Sequence, residues 1–214
     1  MIRYVATLLF AFSAVALGAS GNISKVNSSI RVDDGGQAGD VSTVNGSITI
    51  GRNASVREVD TVNGSIRLDE RARADSVETV NGGVTLGEGV LVSEDVSAVN
   101  GKLTVRRGAR VGGRLENVNG EFLLEGATVG GGIETVNGDI VVGAGSRVDG
   151  GVTVEDSNSW KWRAKSRNPR LTIESGAVVN GPLRFEREVD LYLWDGAVIG
   201  PIEGVRPRRY TIGA

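Results

Sequence analysis

The sequence predicts an all-β protein folded as a single-stranded parallel β-helix, a three-faced β-solenoid of about 18 residues per coil and about nine coils. The first observation behind this is a repeat. It reads VNSSIRV at 26–32, VNGSITI at 44–50, VNGSIRL at 62–68, VNGGVTL at 80–86, VNGKLTV at 99–105, VNGEFLL at 118–124, VNGDIVV at 136–142 and VNGPLRF at 179–185. The first seven starts are 18, 18, 18, 19, 19 and 18 residues apart, so one small unit is stacked many times. The second observation is the grammar inside a unit. Residues 44–61 divide into VNGSIT, IGRNAS and VREVDT, each opening on an aliphatic residue (Val44, Ile50, Val56), and Ile48 and Ile50 alternate with polar Ser47 and Thr49. The third is composition. There are 32 glycines and few aromatic residues, and Asn-Gly, Gly and Ser separate the apolar runs as turn formers. No window carries the apolar spacing of an amphipathic helix.

Taken in order, residues 1–20 read as a secretory signal that is cleaved near 18–20. Arg3 is the charge of its first region, Tyr4 to Leu17 form the apolar stretch, and Gly18, Ala19 and Ser20 are the small residues that follow. The chain is expected to be exported, periplasmic or extracellular. Cysteine is absent, so disulfides, thiolate metal sites and lipid attachment at a cysteine are excluded. Residues 21–42 read as an N-terminal coil or cap, with DDGGQAGD at 33–40 turn-like and irregular. The solenoid proper spans 43–200, and one inner column runs Ile48, Ile66, Val84, Leu103, Phe122, Ile140 and Leu183. An insertion at 155–170 breaks the rhythm, which returns at Val179, Phe185, Leu191 and Ala197. Residues 201–214, with Pro201, Pro207 and a basic cluster, read as a C-terminal tail or cap.

Histidine is absent as well, which removes imidazole from catalysis and metal binding. No cofactor and no metal site is expected. The net charge of −2 gives no case for nucleic acid. The asparagines Asn27, Asn45, Asn63, Asn81, Asn100, Asn119, Asn137 and Asn180 recur in every repeat, so they read as a structural ladder bonding coil to coil, and the Asn-X-Ser matches among them as accidents of the repeat. Asp60, Glu78, Glu116 and Glu134 form an outward column with Ser97 in the gap, which reads as a solvated ladder with some ion pairing; a paired-carboxylate enzyme acting on polysaccharide is the rival reading. The Thr columns are too interrupted for ice binding. The most unusual stretch lies in the insertion, where Trp160, Lys161, Trp162, Arg163, Lys165, Arg167 and Arg170 interleave aromatic and basic side chains in an acidic protein. That pattern suits an anionic envelope glycan or lipid, or else a flap whose rings cover a solenoid face.

Stretches such as LTVRRGARVGGRLENVNG (103–120), IVVGAGSRVDGGVTVED (140–156) and LTIESGAVVNGPLRF (171–185) resemble bactofilins, polymer-forming bacterial β-helix proteins, and VNGSITI and VNGDIVV resemble the putative-adhesin β-solenoids of bacterial envelopes. The resemblance covers about 26–200. It implies a right-handed β-helix of about six residues per face that self-associates end to end. Bactofilins are cytoplasmic scaffolds, so the export signal is a departure from their pattern. The sequence therefore leads to a non-catalytic exported solenoid serving structure, assembly or interaction in the envelope. The rivals are an adhesin-like module binding anionic glycan or lipid through the Trp and basic loop and, behind it, a polysaccharide-active enzyme.

Overall fold

The computed structural model describes residues 21–156 and 167–213, and the described residues contain strands and turns without an α-helix. The strands form three parallel sheets, one per face of a β-solenoid of about nine turns. The first face has ten strands, from Ile23–Lys25 through Val41–Asn45 and Glu58–Asn63 to Ile202–Gly204. The second also has ten, from Ile30–Val32 through Ile48–Ile50 and Ile66–Leu68 to Arg208–Ile212. The third has seven, from Arg73–Ala74 to Val198–Ile199, and the isolated bridges Gln37–Ser55–Arg73 continue it toward the N-terminus. Each strand inside a sheet pairs with its equivalent one coil before and one coil after.

This register follows from the period. A strand of three residues is too short to stand alone, but a repeat of constant length brings identical side chains over one another at about 4.8 Å. On the second face Ile48, Ile66, Val84, Leu103, Phe122 and Ile140 are consecutive partners, and all are buried. On the first face Val41, Val59, Val77, Val96, Leu115, Ile133 and Val152 stack in the same way. The third face is narrower. Its corner holds small side chains, Ala54, Ala72, Ala109, Ala127 and Ala177, all buried. Buried Ser146 interrupts these alanines, and its Oγ accepts a hydrogen bond from the Ala127 amide at 3.3 Å.

Several details differ from the expectation. Leu183 does not follow Ile140; that place belongs to Leu171, and Leu183 lies on the first face between Val152 and Ile202. The triplet Val179-Asn180-Gly181 turns the corner from the third face to the first, whereas every earlier Val-Asn-Gly turns from the first to the second. The insertion lengthens one coil and leaves the faces in register, since Ile140–Leu171, Val148–Val179 and Val152–Leu183 each pair across 31 residues rather than 18 or 19. The repeat valine Val44 is only half-buried, while Val41 and Thr43 supply the inward side chains of that strand. The stretch 33–40 is regular, with Gly35 N donating to Arg52 O at 2.7 Å and Ala38 N to Ser55 O at 3.1 Å. Residues 202–212 likewise continue two of the sheets as a further coil.

Candidate functional site

The corner between the first and second faces is the most repetitive structure in the molecule. Asn45 Nδ2 donates to Asn27 Oδ1 at 2.8 Å, and the pattern continues through Asn63, Asn81, Asn100, Asn119 and Asn137 at 2.9, 3.0, 3.0, 3.2 and 3.0 Å. Asn180 is not part of this ladder; its Nδ2 donates to Asp149 Oδ1 at 2.6 Å on the corner between the third and first faces. In its place Arg187 closes the ladder, with Nη1 donating to Asn137 Oδ1 at 2.8 Å.

A second column beneath the asparagines escaped the sequence reading. Thr43, Thr61 and Thr79 are buried and donate from Oγ1 to the carbonyls of Ser28, Gly46 and Gly64 of the preceding coil at 3.0, 3.0 and 3.1 Å. Asn117 reaches the Gly101 carbonyl from the equivalent position, and Thr135 Oγ1 accepts from Gly138 N at 2.9 Å. The signal was present in the sequence, because Thr precedes Val-Asn-Gly at 43, 61, 79 and 135. The glycine that follows is demanded by close approach: a Cβ on Gly64 would lie 2.0 Å from Gly46 O. Ser28 takes the glycine's place in the first described coil, where no described coil lies beneath it.

The acidic column on the outer side of the first face is assembled as the spacing required, with Asp60, Glu78, Ser97, Glu116 and Glu134 in consecutive register. Burial within the stack pushes the Asp60 carboxyl up to about 7, and Glu78, Glu58 and Asp40 add repulsion of its charged form. Desolvation also raises Glu78. Glu116 is raised by desolvation and by Glu134, against the pull of Arg114. The Arg114 guanidinium sits 3.1 Å from Glu134 and 3.4 Å from Glu116, and its own pKa is raised chiefly by the hydrogen bond to Glu134. One end of the column is thus a clamped ion-pair network, and the other is a pair of stacked carboxyls whose protonated forms are favoured by burial. No three acidic side chains among the described residues are arranged to hold a metal ion.

Of the basic, aromatic segment, Trp160, Lys161, Trp162, Arg163 and Lys165 lie outside the described residues. Arg167 and Arg170 are described, and both serve the chain itself. Arg167 grips Asp139 through Nη1 to Oδ1 at 3.1 Å and Nη2 to Oδ2 at 2.7 Å, and Asp139 Oδ1 also accepts the Arg170 amide at 3.0 Å. The Arg170 guanidinium lies 5.2 Å from the Tyr192 ring centroid, and that ring stacks on Tyr210 with centroids 4.6 Å apart. Two grooves indent the surface at the corner of the second and third faces. The larger, about 660 Å³, has mixed charge from Glu88, Arg106, Arg107, Glu125 and Glu174. The smaller, about 450 Å³, has no acidic lining residue.

These features define a parallel three-faced β-solenoid. Comparison with protein-family models, curated proteins and solved structures finds no match to the chain.

Proposed function

We propose that the chain is a non-catalytic, exported solenoid that serves as a structural or assembly element of the bacterial cell envelope, bactofilin-like in building from its ends. The observation that carries this reading is the last coil. Ile199 and Ile202 are half-buried there, although their partners Val179 and Leu183 in the preceding coil are sealed in the core, and Val198, Val205 and Tyr210 are exposed beside them. The strands Val198–Ile199, Ile202–Gly204 and Arg208–Ile212 each have a described partner on one side only. An open rung of apolar side chains bordered by unpaired strand edges is a template for another rung of the same kind. Val26, on the first described coil, is 56% exposed, so both ends offer apolar surface. Export rests on the signal-like residues 1–20, which lie outside the described residues.

Size-exclusion chromatography with light scattering on residues 21–214, followed by negative-stain microscopy, tests the reading. Ordered filaments one coil wide are the expected result. A monodisperse monomer at all concentrations overturns it and favours a monomeric binding module of the adhesin-like kind.

A further inference from the structure

Many arginines of this protein are neutralised within the stack. Arg31, Arg52, Arg57 and Arg67 each face an aspartate or glutamate within 4 Å. Arg71, Arg73, Arg106, Arg107 and Arg110 form no side-chain hydrogen bond or ion pair with a described residue. All five fall at one corner, on two coils separated by a single coil, and three of them, Arg71, Arg73 and Arg110, line the smaller groove with Asn53, Gly108 and Leu91. The net charge of the chain is −2, so this cationic groove is a local exception rather than a share of a basic surface.

The backbone supplies an independent sign. The turn at this corner needs left-handed φ in every coil, and Gly35, Gly89, Gly108, Gly126, Gly145, Gly176 and Gly196 provide it at φ between 61° and 80°. Asn53 and Arg71 adopt the same conformation, at φ 55° and 57°, with a side chain that raises its cost. Both of these departures from glycine line the groove.

Spacing then selects the ligand. Arg73 pairs with Leu91 and Leu91 with Arg110, so the two arginines are anchored two strand steps apart on the backbone, roughly 9.6 Å along the axis. Arg147 follows after two more steps, held by Asp149 at 2.8 Å. Leu91, 37% exposed, lies between the first two as an apolar floor. We propose that this groove binds a linear acidic polysaccharide with one carboxylate per disaccharide, laid along the solenoid axis. A disaccharide repeat spans about the distance between alternate coils. Each carboxylate would meet one guanidinium through paired N–H···O bonds, and the C–H face of the intervening sugar would rest on Leu91. Duplex nucleic acid, with a charge about every 1.7 Å, is far denser than this row of cations. A membrane surface would need more exposed apolar area than Leu91 offers. The inference does not depend on whether the ends of the solenoid join.

Calorimetric titration of the full chain with a hyaluronan decasaccharide tests it, with neutral dextran, phosphatidylglycerol-containing vesicles and duplex DNA as comparisons. We expect salt-sensitive binding of hyaluronan, none of dextran, and weaker binding per charge of vesicles and DNA. Arg73→Gln combined with Arg110→Gln should reduce affinity at least tenfold with an unchanged melting temperature, and Leu91→Glu should do the same from the neighbouring strand. Arg31→Gln with Arg67→Gln is the control. That pair has the same two-step spacing on the second face but is already neutralised, so affinity should stay within about twofold. The proposal is overturned by an absence of hyaluronan binding, by equal losses from both arginine pairs, or by tighter binding of vesicles or DNA.

Discussion

Arg187 Nη1 donates to Asn137 Oδ1 at 2.8 Å and to the Val136 carbonyl at 3.3 Å, joining residues 50 positions apart in sequence. Every ladder amide points the same way, Nδ2 toward the preceding coil and Oδ1 toward the next. Their dipoles add head to tail and leave an unpaired carbonyl at the last rung. A cation there does what a lysine does at a helix C-terminus. Arg187→Gln should therefore cost about 1 kcal/mol. Amide exchange should quicken first at 136–138, which hydrogen-exchange mass spectrometry would resolve. Uniform loss of protection along the chain would show that the ladder is not closed at this residue.

Gly64→Ala tests the corner beneath the ladder. The new Cβ would stand 2.0 Å from Gly46 O, a backbone atom tied to its own coil and unable to yield. Thr61 donates to that same carbonyl, so relief by shifting the coil breaks a buried hydrogen bond as well. A loss of about 2–4 kcal/mol in chemical denaturation is expected. Thr61→Val, which removes only the hydroxyl, should cost about 1–2 kcal/mol.

Much of this architecture was legible because a solenoid translates period directly into contact. Equal spacing of Ile48, Ile66 and Val84 was enough to place them over one another. The same logic failed at Asn180 and Leu183, where an identical triplet turns a different corner. The residue before the triplet separates the cases in part, since Thr135 precedes one and Val178 the other. Arg187 and the cationic groove were not legible. The first depends on how far the Arg187 side chain reaches past the intervening coil. The second depends on which arginines lack a carboxylate, and that is set by side-chain reach rather than by period.

Ile66→Asp challenges the stack as a whole. Ile66 is 1% exposed and lies between Ile48 and Val84 on the second face. A carboxylate there is buried without a partner, and each coil is held chiefly by its two neighbours. Loss of a single cooperative unfolding transition is expected in calorimetry, and retention of the native melting curve would refute this register.

Asp60 makes stability depend on pH. Its folded pKa of about 7 lies above the ordinary 3.8, so the folded state holds the proton more tightly than the unfolded state. The resulting stability is fully present below about pH 4 and is lost as pH rises through about 7. Glu78 and Glu116, both raised, act in the same direction. Asp60→Asn should flatten the melting temperature between pH 5 and 8 and make the protein more stable than native at pH 8, by on the order of 2 kcal/mol. An unchanged pH profile in the variant would place the source of any pH dependence elsewhere.

Arg71 sets stability against binding within one residue. At φ 57° it occupies a position that Gly89 and Gly108 fill in the next two coils at 65° and 71°. Its side chain has no described partner to repay the strain. Arg71→Gly should therefore raise stability by about 1 kcal/mol in chemical denaturation. If the groove holds an acidic chain, the same substitution should weaken that complex several-fold. Arg71→Asn separates the two effects, because asparagine tolerates the left-handed conformation almost as Asn53 does but carries no charge. It should recover part of the stability and none of the binding. A variant that gains stability and binds hyaluronan as well as the native protein would show that the strain at Arg71 has no counterpart in ligand recognition.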